Sequence, residues 1–337
     1  MAKIGVLLIN LGTPDDTSLP SIRRYLDEFL MDPYVVDLPW PLRALLVKGF
    51  ILRTRPKTTQ HAYQQIWGDN DSPLRLHSLD MQRQLAARLT DNYHVELGMR
   101  YGTPSMAEAL KKLMAQTIDK LIVVPLFPQY SQAATESAIQ CFKKTFKTLK
   151  SAIPVDIIHD FYNHPAFIES QAKLIQAQLR DVPYDKLLMS YHGLPVKHLA
   201  KSGCTHVETD CKNQHPCPAI SASNKNCYRA QCYATSRLLA EKLSLSTDQY
   251  DVTFQSRLGK TPWIKPYTDQ HLIELRKRGI ADIAITCPSF VADCLETLEE
   301  IDIRGRQQWQ QLGGRAFTLV SCINSVDVSY LYALVHQ

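Results

Sequence analysis

Short apolar runs alternate with mixed polar and apolar segments along the whole chain. Eight of these runs are rich in β-branched residues and have the length of buried strands: residues 4–10, 95–101, 120–126, 155–161, 187–192, 250–255, 281–287 and 316–322. Most are followed by a segment that suits a helix. Nearly continuous apolar strands that alternate with helices are typical of parallel sheets covered on both faces. The pattern predicts an α/β protein.

The spacing of the runs divides the chain into two similar halves. Four runs precede residue 165 and four follow it, and in each half the first gap between runs is the longest. We therefore predict two doubly wound α/β lobes, residues 1–165 and 166–337, each with a four-stranded parallel sheet and with a cleft between them. The length of 337 residues agrees, because single domains usually have ~100–200 residues.

The first long gap contains an apolar segment, residues 38–52, which is interrupted by prolines and basic residues. It is shorter than the ~20 residues that span a bilayer. Two interpretations stay open, a further core helix or an exposed apolar lip for a hydrophobic ligand or a membrane surface. The amino terminus runs straight into the first strand and leaves no room for a signal peptide, so we expect a cytoplasmic protein.

Composition and charge indicate which classes of ligand and partner suit the chain. The net charge of +5 is spread along the chain, and no basic block alternates with aromatic residues, which argues against nucleic acid. Five of the nine cysteines lie between Cys204 and Cys232. In a reducing cytoplasm such a cluster indicates metal ligation before disulfides. The sequence carries no signal for the oligomeric state.

The candidate chemistry lies where strands end, because ligands of open α/β sheets bind outside the carboxyl ends of the strands. His192 ends the fifth run and precedes a Gly-Leu-Pro turn. An imidazole there can accept a proton near neutral pH or bind a metal.

An acid-rich segment follows the seventh run. Asp293, Glu296 and Glu300 have the spacing i, i+3, i+7, which predicts that they line one face of an α-helix. Stacked carboxylates repel one another unless they are solvated, bind cations or share protons. A histidine opposite such a row predicts a proton and metal site that holds a divalent cation only transiently.

Six motifs occur in an order that resembles the ferrochelatase family over nearly the whole chain: residues 8–14, 100–102, 125–131, 190–195, 253–257 with Pro262 and Trp263, and 293–300. The resemblance implies an enzyme of two Rossmann-like lobes that inserts ferrous iron, its substrate metal, into a porphyrin to form heme. Residues 63–67 resemble the members that use protoporphyrin. Segment 38–52 would then be a lip for the porphyrin, with peripheral contact at the inner membrane face.

The resemblance also implies roles for single residues. His192 matches the active-site histidine and Glu296 its partner carboxylate across the macrocycle, while Asp293 and Glu300 match an acidic row that leads metal in or protons out. Cys294 stands where the family often has histidine, so we assign it no metal role. The remaining matches are to porphyrin-contacting positions: Leu11, Arg100, Tyr101 and Trp263.

A cysteine-rich insertion occupies residues 201–228. Cys232 matches the shared framework, which leaves four inserted thiols whose spacing differs from the paired C-x-x-C of zinc knuckles: Cys204, Cys211, Cys217 and Cys227. Some ferrochelatases carry a two-iron two-sulfur cluster in such an internal segment, so the resemblance favours this 2Fe-2S cluster. Structural zinc, with His206 or His215, and free thiols are the alternatives.

Two other functions fit two α/β lobes around a cleft. One is a carrier that binds a tetrapyrrole or a metal without turnover. The other is a chelatase for another metal, such as cobalt or nickel, that acts on a different tetrapyrrole.

Overall fold

The computed structural model describes residues 2–68, 71–207, 211, 216–257, 259 and 261–337. Its eight strands coincide with the eight predicted runs, and every strand pair is parallel, so the predicted α/β class is confirmed. The strands are β1 Ile4–Thr13, β2 Tyr93–Gly102, β3 Lys120–Pro125, β4 Val155–Ile157, β5 Lys186–His192, β6 Tyr250–Gln255, β7 Asp282–Thr286 and β8 Ala316–Leu319.

Helices connect most of these strands. The α-helices are α1 Leu19–Leu30, α2 Trp40–Ala44, α3 Leu52–Ile66, α4 Pro73–Arg88, α5 Met106–Ala115, α6 Ser137–Thr148, α7 Pro165–Leu179, α8 Val196–Lys201, α9 Tyr228–Lys242, α10 Thr268–Lys277, α11 Arg306–Gln311 and α12 Ser329–Val335. Among the described residues, π-helices lie at Leu45–Ile51, Gln132–Glu136 and Glu296–Gly305. No described helix is long and apolar enough to cross a membrane.

The two sheets have the same topology. Their strand orders are β2-β1-β3-β4 and β6-β5-β7-β8. In each sheet the first strand of the half is flanked by the next two strands, so the chain changes direction on either side of β1 and of β5. Such a reversal opens a crevice at the carboxyl ends of the strands, where ligands of this architecture bind.

The first compact unit contains the described residues up to Phe127, together with Ser131–Asp160 and Asn324–Gln337. Its core includes Leu7 and Ile9 of β1 packed against α5 and α6. The carboxyl-terminal helix α12 belongs to this unit, and the Tyr330 hydroxyl donates to Met81 Sδ on α4 at 3.6 Å. The division predicted from the sequence instead assigned all residues after 165 to the second lobe.

The second compact unit contains Pro128–Tyr130 and the described part of Phe161–Ile323. Its core joins β5, β7 and β8 to the Glu296–Gly305 helix and α11, with Trp309 fully buried at the centre. Helix α9 is almost wholly buried in this unit and follows the cysteine-rich insertion directly.

The apolar segment at 38–52 is exposed along most of its length. Trp40, Leu42, Leu45 and Phe50 have exposed fractions of 65%, 55%, 61% and 63%, whereas Val47 is fully buried. Arg43 caps the preceding loop through its guanidinium, which donates to the carbonyl oxygen of Leu38 at 2.9 Å. Within the segment only Arg43, Val47 and Leu52 are buried, and the exposure of most other large apolar side chains contradicts the core-helix interpretation.

Candidate active site

His192 is the last residue of β5, and two neighbouring segments hold the backbone at this point. Its backbone N–H donates to Ser289 Oγ at 3.1 Å, and the N–H of Gly193 donates to the carbonyl oxygen of Gln255 at 2.7 Å. The ring Nδ1 lies 2.6 Å from the carbonyl oxygen of Gly193. Because a carbonyl can only accept, Nδ1 carries the proton in this contact, and in the neutral imidazole the lone pair is then on Nε2.

The turn after His192 requires glycine. A Cβ on Gly193 would lie 2.6 Å from the Gln255 carbonyl oxygen and 3.3 Å from the Trp263 ring. Pro195 also forms an isolated antiparallel bridge with Trp263. The structure thus brings the predicted wall residue Trp263 next to the turn that follows the predicted base.

A buried chain of polar side chains lies beneath this turn. Ser190 Oγ donates to Gln255 Oε1 at 2.7 Å and contacts Thr268 Oγ1 at 2.9 Å. The Gln255 amide then donates to the backbone carbonyl of Glu296 at 2.7 Å. Buried polar groups that are fully hydrogen-bonded fix local geometry, so this chain connects the ends of β5 and β6 to the acidic helix.

The acidic helix is a π-helix from Glu296 to Gly305, which corrects the predicted α-helix with one acidic face. A π-helix uses i→i+5 hydrogen bonds, and such segments are frequent at functional sites. Glu296 and Glu300 lie on it and are half-buried. Asp293 precedes the helix, is buried, and accepts from Thr297 Oγ1 at 2.9 Å and Cys322 N at 3.3 Å. Asp293 therefore lies outside the helix that carries Glu296 and Glu300, and its place in the acidic row stays a prediction.

Glu300 is held by the residue that follows β6. Ser256 donates to its carboxylate from the backbone N–H, at 2.8 Å, and from the hydroxyl. Ser256 adopts a left-handed backbone conformation with φ of 66°, which is uncommon for a residue other than glycine. Burial raises the pKa of the Glu300 carboxyl above its ordinary 4.5, while the Ser256 hydrogen bonds and the nearby His192 act in the opposite direction.

Leu11 lies near the end of β1 in the first unit and is partly exposed. Its N–H donates to Asn10 Oδ1 at 2.8 Å, and the Asn10 amide donates to Ser78 Oγ at 2.9 Å. At Gly12, which follows, φ is 109° and a Cβ would lie 1.7 Å from the Tyr101 carbonyl oxygen. The ends of β1 and β2 therefore approach too closely for any side chain at position 12.

Arg100 and Tyr101 share one buried acceptor, Asp32. The Arg100 guanidinium and the hydroxyls of Tyr101 and Ser137 all donate to Asp32 Oδ2. Tyr101 is fully buried, and burial raises the pKa of its phenol far above the ordinary value. The Arg100 side chain keeps 17% of its surface exposed. Arg100 can therefore reach a ligand, whereas Tyr101 can act only through its neighbours.

Sequence reasoning missed Asp32 and Ser137. Asp32 stands 68 residues before Arg100 and Ser137 stands 37 residues after it, so no local pattern relates them. Gln255 and Ser256 lie in the motif at 253–257, but their hydrogen bonds to Glu296 and Glu300 depend on the packing of two distant segments. Only their position at a carboxyl end of the sheet could have indicated them.

The four inserted cysteines form two interacting pairs. The Cys211 thiol donates to Cys217, which raises the pKa of Cys211 and lowers the pKa of Cys217. Cys227 is hydrogen-bonded to Cys204, and burial raises the pKa of Cys227 to about 12. All nine cysteines of the chain are free. Among the described residues, no three His, Cys, Asp or Glu side chains are grouped closely enough to hold a metal ion. His215 lies outside the described residues.

Comparisons with known sequences give one family. A sequence model of the ferrochelatase family matches residues 3–337. The ferrochelatase of Coxiella burnetii (strain Dugway 5J108-111) is 50% identical over 325 residues, which cover 96% of this chain and 90% of that protein. The ferrochelatase of Legionella pneumophila (strain Corby) is 50% identical over 323 residues, with coverage of 95% and 94%.

Solved structures share the architecture at low sequence identity. The sirohydrochlorin chelatase SirB from Bacillus subtilis subspecies spizizenii, in complex with cobalt, superposes with a TM-score of 0.54 at 9% identity and covers 99% of this chain and 93% of its own. SirB from Bacillus subtilis with Fe³⁺ gives 0.53 at 13% identity, with coverage of 99% and 95%. At these identities the likeness concerns the fold alone, and it agrees with two parallel-sheet α/β units.

Proposed function

Because the chain belongs to the ferrochelatase family, we propose which of its residues carry out the family's reaction. The protein is an enzyme that inserts ferrous iron into protoporphyrin to form heme. The porphyrin loses two pyrrole protons as the divalent iron enters, so the site needs proton acceptors and carboxylates that attract a cation.

His192 is the proposed base for a pyrrole proton, and the contact of its Nδ1 with the Gly193 carbonyl is the observation that carries this assignment. With Nδ1 protonated, Nε2 is the acceptor, and the backbone bonds to Ser289 and Gln255 fix the position of the ring. A preset tautomer removes one rearrangement that the reaction would otherwise need.

Glu296 and Glu300 are the proposed carboxylates for the iron and for proton removal. Each lies on the π-helix, which Gln255 fixes at Glu296 and Ser256 fixes at Glu300. Burial raises the pKa of Glu300, so this carboxyl can hold a proton at a higher pH than an exposed glutamate. We assign Asp293 a structural role in this scheme, because both donors on its Oδ1 belong to the surrounding fold.

The proposed substrate contacts are Leu11, Arg100 and Trp263. Arg100 offers a guanidinium, which suits the carboxylates of a porphyrin. Leu11 and Trp263 offer partly exposed apolar surface. Tyr101 supports Arg100 through Asp32 and makes no contact with the substrate, since its side chain is fully buried.

The exposed apolar segment at 38–52 is proposed as the surface that meets the hydrophobic porphyrin and the membrane headgroup region. Apolar side chains on a short exposed helix bind at a membrane interface by burying their apolar face. Trp40, Leu45 and Phe50 each expose more than half of their surface. Exposed clusters of this kind usually mark interaction sites.

The four inserted cysteines are proposed to ligate a 2Fe-2S cluster. The donor set fits in its chemistry, because the four thiols form two interacting pairs and each pair would hold one of the two irons, so three ligands around a single ion are not needed. Three of the thiols are buried, and the buried guanidinium of Arg229 donates to one of them. Thiolates are the usual ligands of such a cluster, which would supply one-electron redox chemistry and order the insertion. Zinc bound by the same thiols is the competing assignment.

Two measurements on anaerobically purified protein test these proposals. Visible absorption after addition of ferrous iron and protoporphyrin should show heme, and porphyrin binding without heme formation would favour a carrier. Iron and acid-labile sulfide should be present in equal amounts with two of each per chain. A colourless protein with stoichiometric zinc, or with no metal, would refute the cluster and leave the chelatase activity unaffected.

A further inference from the structure

Arg229 is a fully buried arginine in the first turn of α9, directly after the cysteine-rich insertion. Its Nη1 donates to Cys217 Sγ at 3.0 Å. The guanidinium carbon also lies 4.7 Å from the centre of the Tyr233 ring. Burying a charge costs free energy unless nearby groups stabilise it. The position of the Arg229 guanidinium beside a buried sulfur therefore suggests a function.

The rest of the guanidinium is fixed by the protein. Nε and Nη2 donate to the Lys265 carbonyl oxygen at 3.3 and 3.2 Å, and Nη2 also donates to the Tyr233 hydroxyl at 3.3 Å. Because the donors of arginine form a rigid fork, these bonds set the direction of Nη1. The N–H···S contact is thus built into the fold and does not depend on a mobile surface side chain.

A second arginine of the same helix holds the backbone of the same cysteine. Arg237 Nη1 donates to the Cys217 carbonyl oxygen at 2.9 Å, and its Nη2 donates to the Pro218 carbonyl oxygen at 3.2 Å. Arg237 is partly exposed, and both of these hydrogen bonds are to backbone carbonyl oxygens. Arg229 therefore donates to the sulfur of Cys217, whereas Arg237 donates to its backbone. Substitutions of the two arginines can distinguish an effect on the sulfur from an effect on the backbone.

We propose that Arg229 is a positioning residue for the iron-sulfur cluster, to which it donates an N–H···S hydrogen bond through Cys217 and a buried positive charge that raises the cluster's reduction potential. The inference rests on the proposed cluster. Reduction adds one negative charge to a site that already carries four thiolates. A fixed cation and a hydrogen bond to a ligand sulfur stabilise that added charge, which makes reduction easier.

The test compares Arg229→Gln, Arg229→Lys and the control Arg237→Gln in the full-length protein. Each is purified anaerobically and assayed for iron and acid-labile sulfide. The cluster is then titrated with dithionite, and its reduced fraction is followed by electron paramagnetic resonance and visible absorption. Arg229→Gln should lower the ratio of reduced to oxidised cluster at a fixed potential at least tenfold, which equals about 59 mV for a one-electron couple.

Arg229→Lys keeps the charge but loses the fork that reaches both the Lys265 carbonyl and Cys217, so its reduced fraction should fall between those of the wild type and Arg229→Gln. Arg237→Gln should leave the ratio unchanged. Equal potentials in the wild type, Arg229→Gln and Arg229→Lys would overturn the inference and leave the cluster in place. If Arg229→Gln does not fold, a wild-type reduction potential in Arg229→Lys would overturn the proposed effect of the hydrogen bond. Wild-type protein without iron and sulfide would refute the cluster itself, and the inference with it.

Discussion

The side-chain amide of Gln255 donates a 2.7 Å hydrogen bond to the backbone carbonyl oxygen of Glu296. The carbonyl oxygen of Gln255 also accepts from the N–H of Gly193, the residue after the proposed base. One residue at the end of β6 therefore touches both the turn of the proposed base and the first residue of the acidic helix. The spacing of His192 and Glu296 depends on packing at this single position.

Replacing His192 with alanine should reduce iron insertion by roughly 10²–10⁴-fold, the range in which a general base contributes. Porphyrin binding, measured by fluorescence quenching, and the melting temperature should stay near the wild-type values, because the ring is held by local bonds and is partly exposed. His159→Ala, which changes an exposed histidine of the first unit, is the control. Near-normal turnover in His192→Ala would remove this residue from the mechanism.

Glu296 and Asp293 should respond differently to substitution. Glu296→Gln should lower the rate of iron insertion by roughly a hundredfold or more with little change in stability, since a half-buried carboxylate of the site is neutralised. Asp293→Ala should lower the free energy of unfolding by ~1–3 kcal/mol, because two buried donors lose their acceptor. Chemical denaturation and anaerobic activity assays separate the two effects. Equal activity losses without destabilisation would restore Asp293 to the acidic row.

Glu300 should make the stability of the fold depend on pH. Its pKa is raised in the folded protein, so the folded state binds more protons than the unfolded state at pH values between 4.5 and the raised pKa. Stability from this group is present below pH 4.5 and is lost as the pH rises through the raised pKa.

The side chain in Glu300→Gln cannot ionise, so this variant does not lose stability in this way as the pH rises. The free energy of unfolding of Glu300→Gln, minus that of the wild type, should therefore increase between pH 4.5 and pH 8 in urea titrations. Glu241→Gln, which changes an exposed glutamate, should show no such increase. A difference that stays constant with pH for Glu300→Gln would contradict the assigned direction.

Charged substitutions should separate exposed from buried positions in the apolar segment. Leu45→Asp should change the free energy of unfolding by less than about 0.5 kcal/mol and weaken binding to phospholipid vesicles or to porphyrin, because Leu45 is 61% exposed. Val47→Asp should destabilise the protein by about 3–5 kcal/mol, since it buries an unpaired charge. Flotation assays and thermal denaturation measure these effects. Vesicle and porphyrin binding that Leu45→Asp leaves unchanged would remove this surface from the proposal.

The strands could be predicted from the sequence because a parallel strand covered on both faces is nearly continuous in apolar residues. All eight runs became strands, and their order in the chain was enough to indicate two similar halves. His192 and the segment around Glu296 could be selected for the same reason, since they follow strand ends. The family resemblance then supplied roles that no spacing contains.

Other features depend on packing between distant segments. The i, i+3, i+7 spacing indicated an α-helix, but the chain forms a π-helix and leaves Asp293 outside it. Asp32 accepts hydrogen bonds from Arg100 and Tyr101 of β2 and from Ser137 of α6, and no local sequence pattern predicts these contacts. The burial of Tyr101 likewise appears only once β2 is packed in its sheet.

The grouping of Asn324–Gln337 with the first unit has a consequence for biosynthesis. A ribosome makes the second unit in full before it reaches α12, whose Tyr330 contacts Met81. The nascent first unit therefore lacks part of its structure until a segment more than two hundred residues after Met81 has been synthesised. The second unit, although its strands are made later, is present in full in the nascent chain before the first unit is.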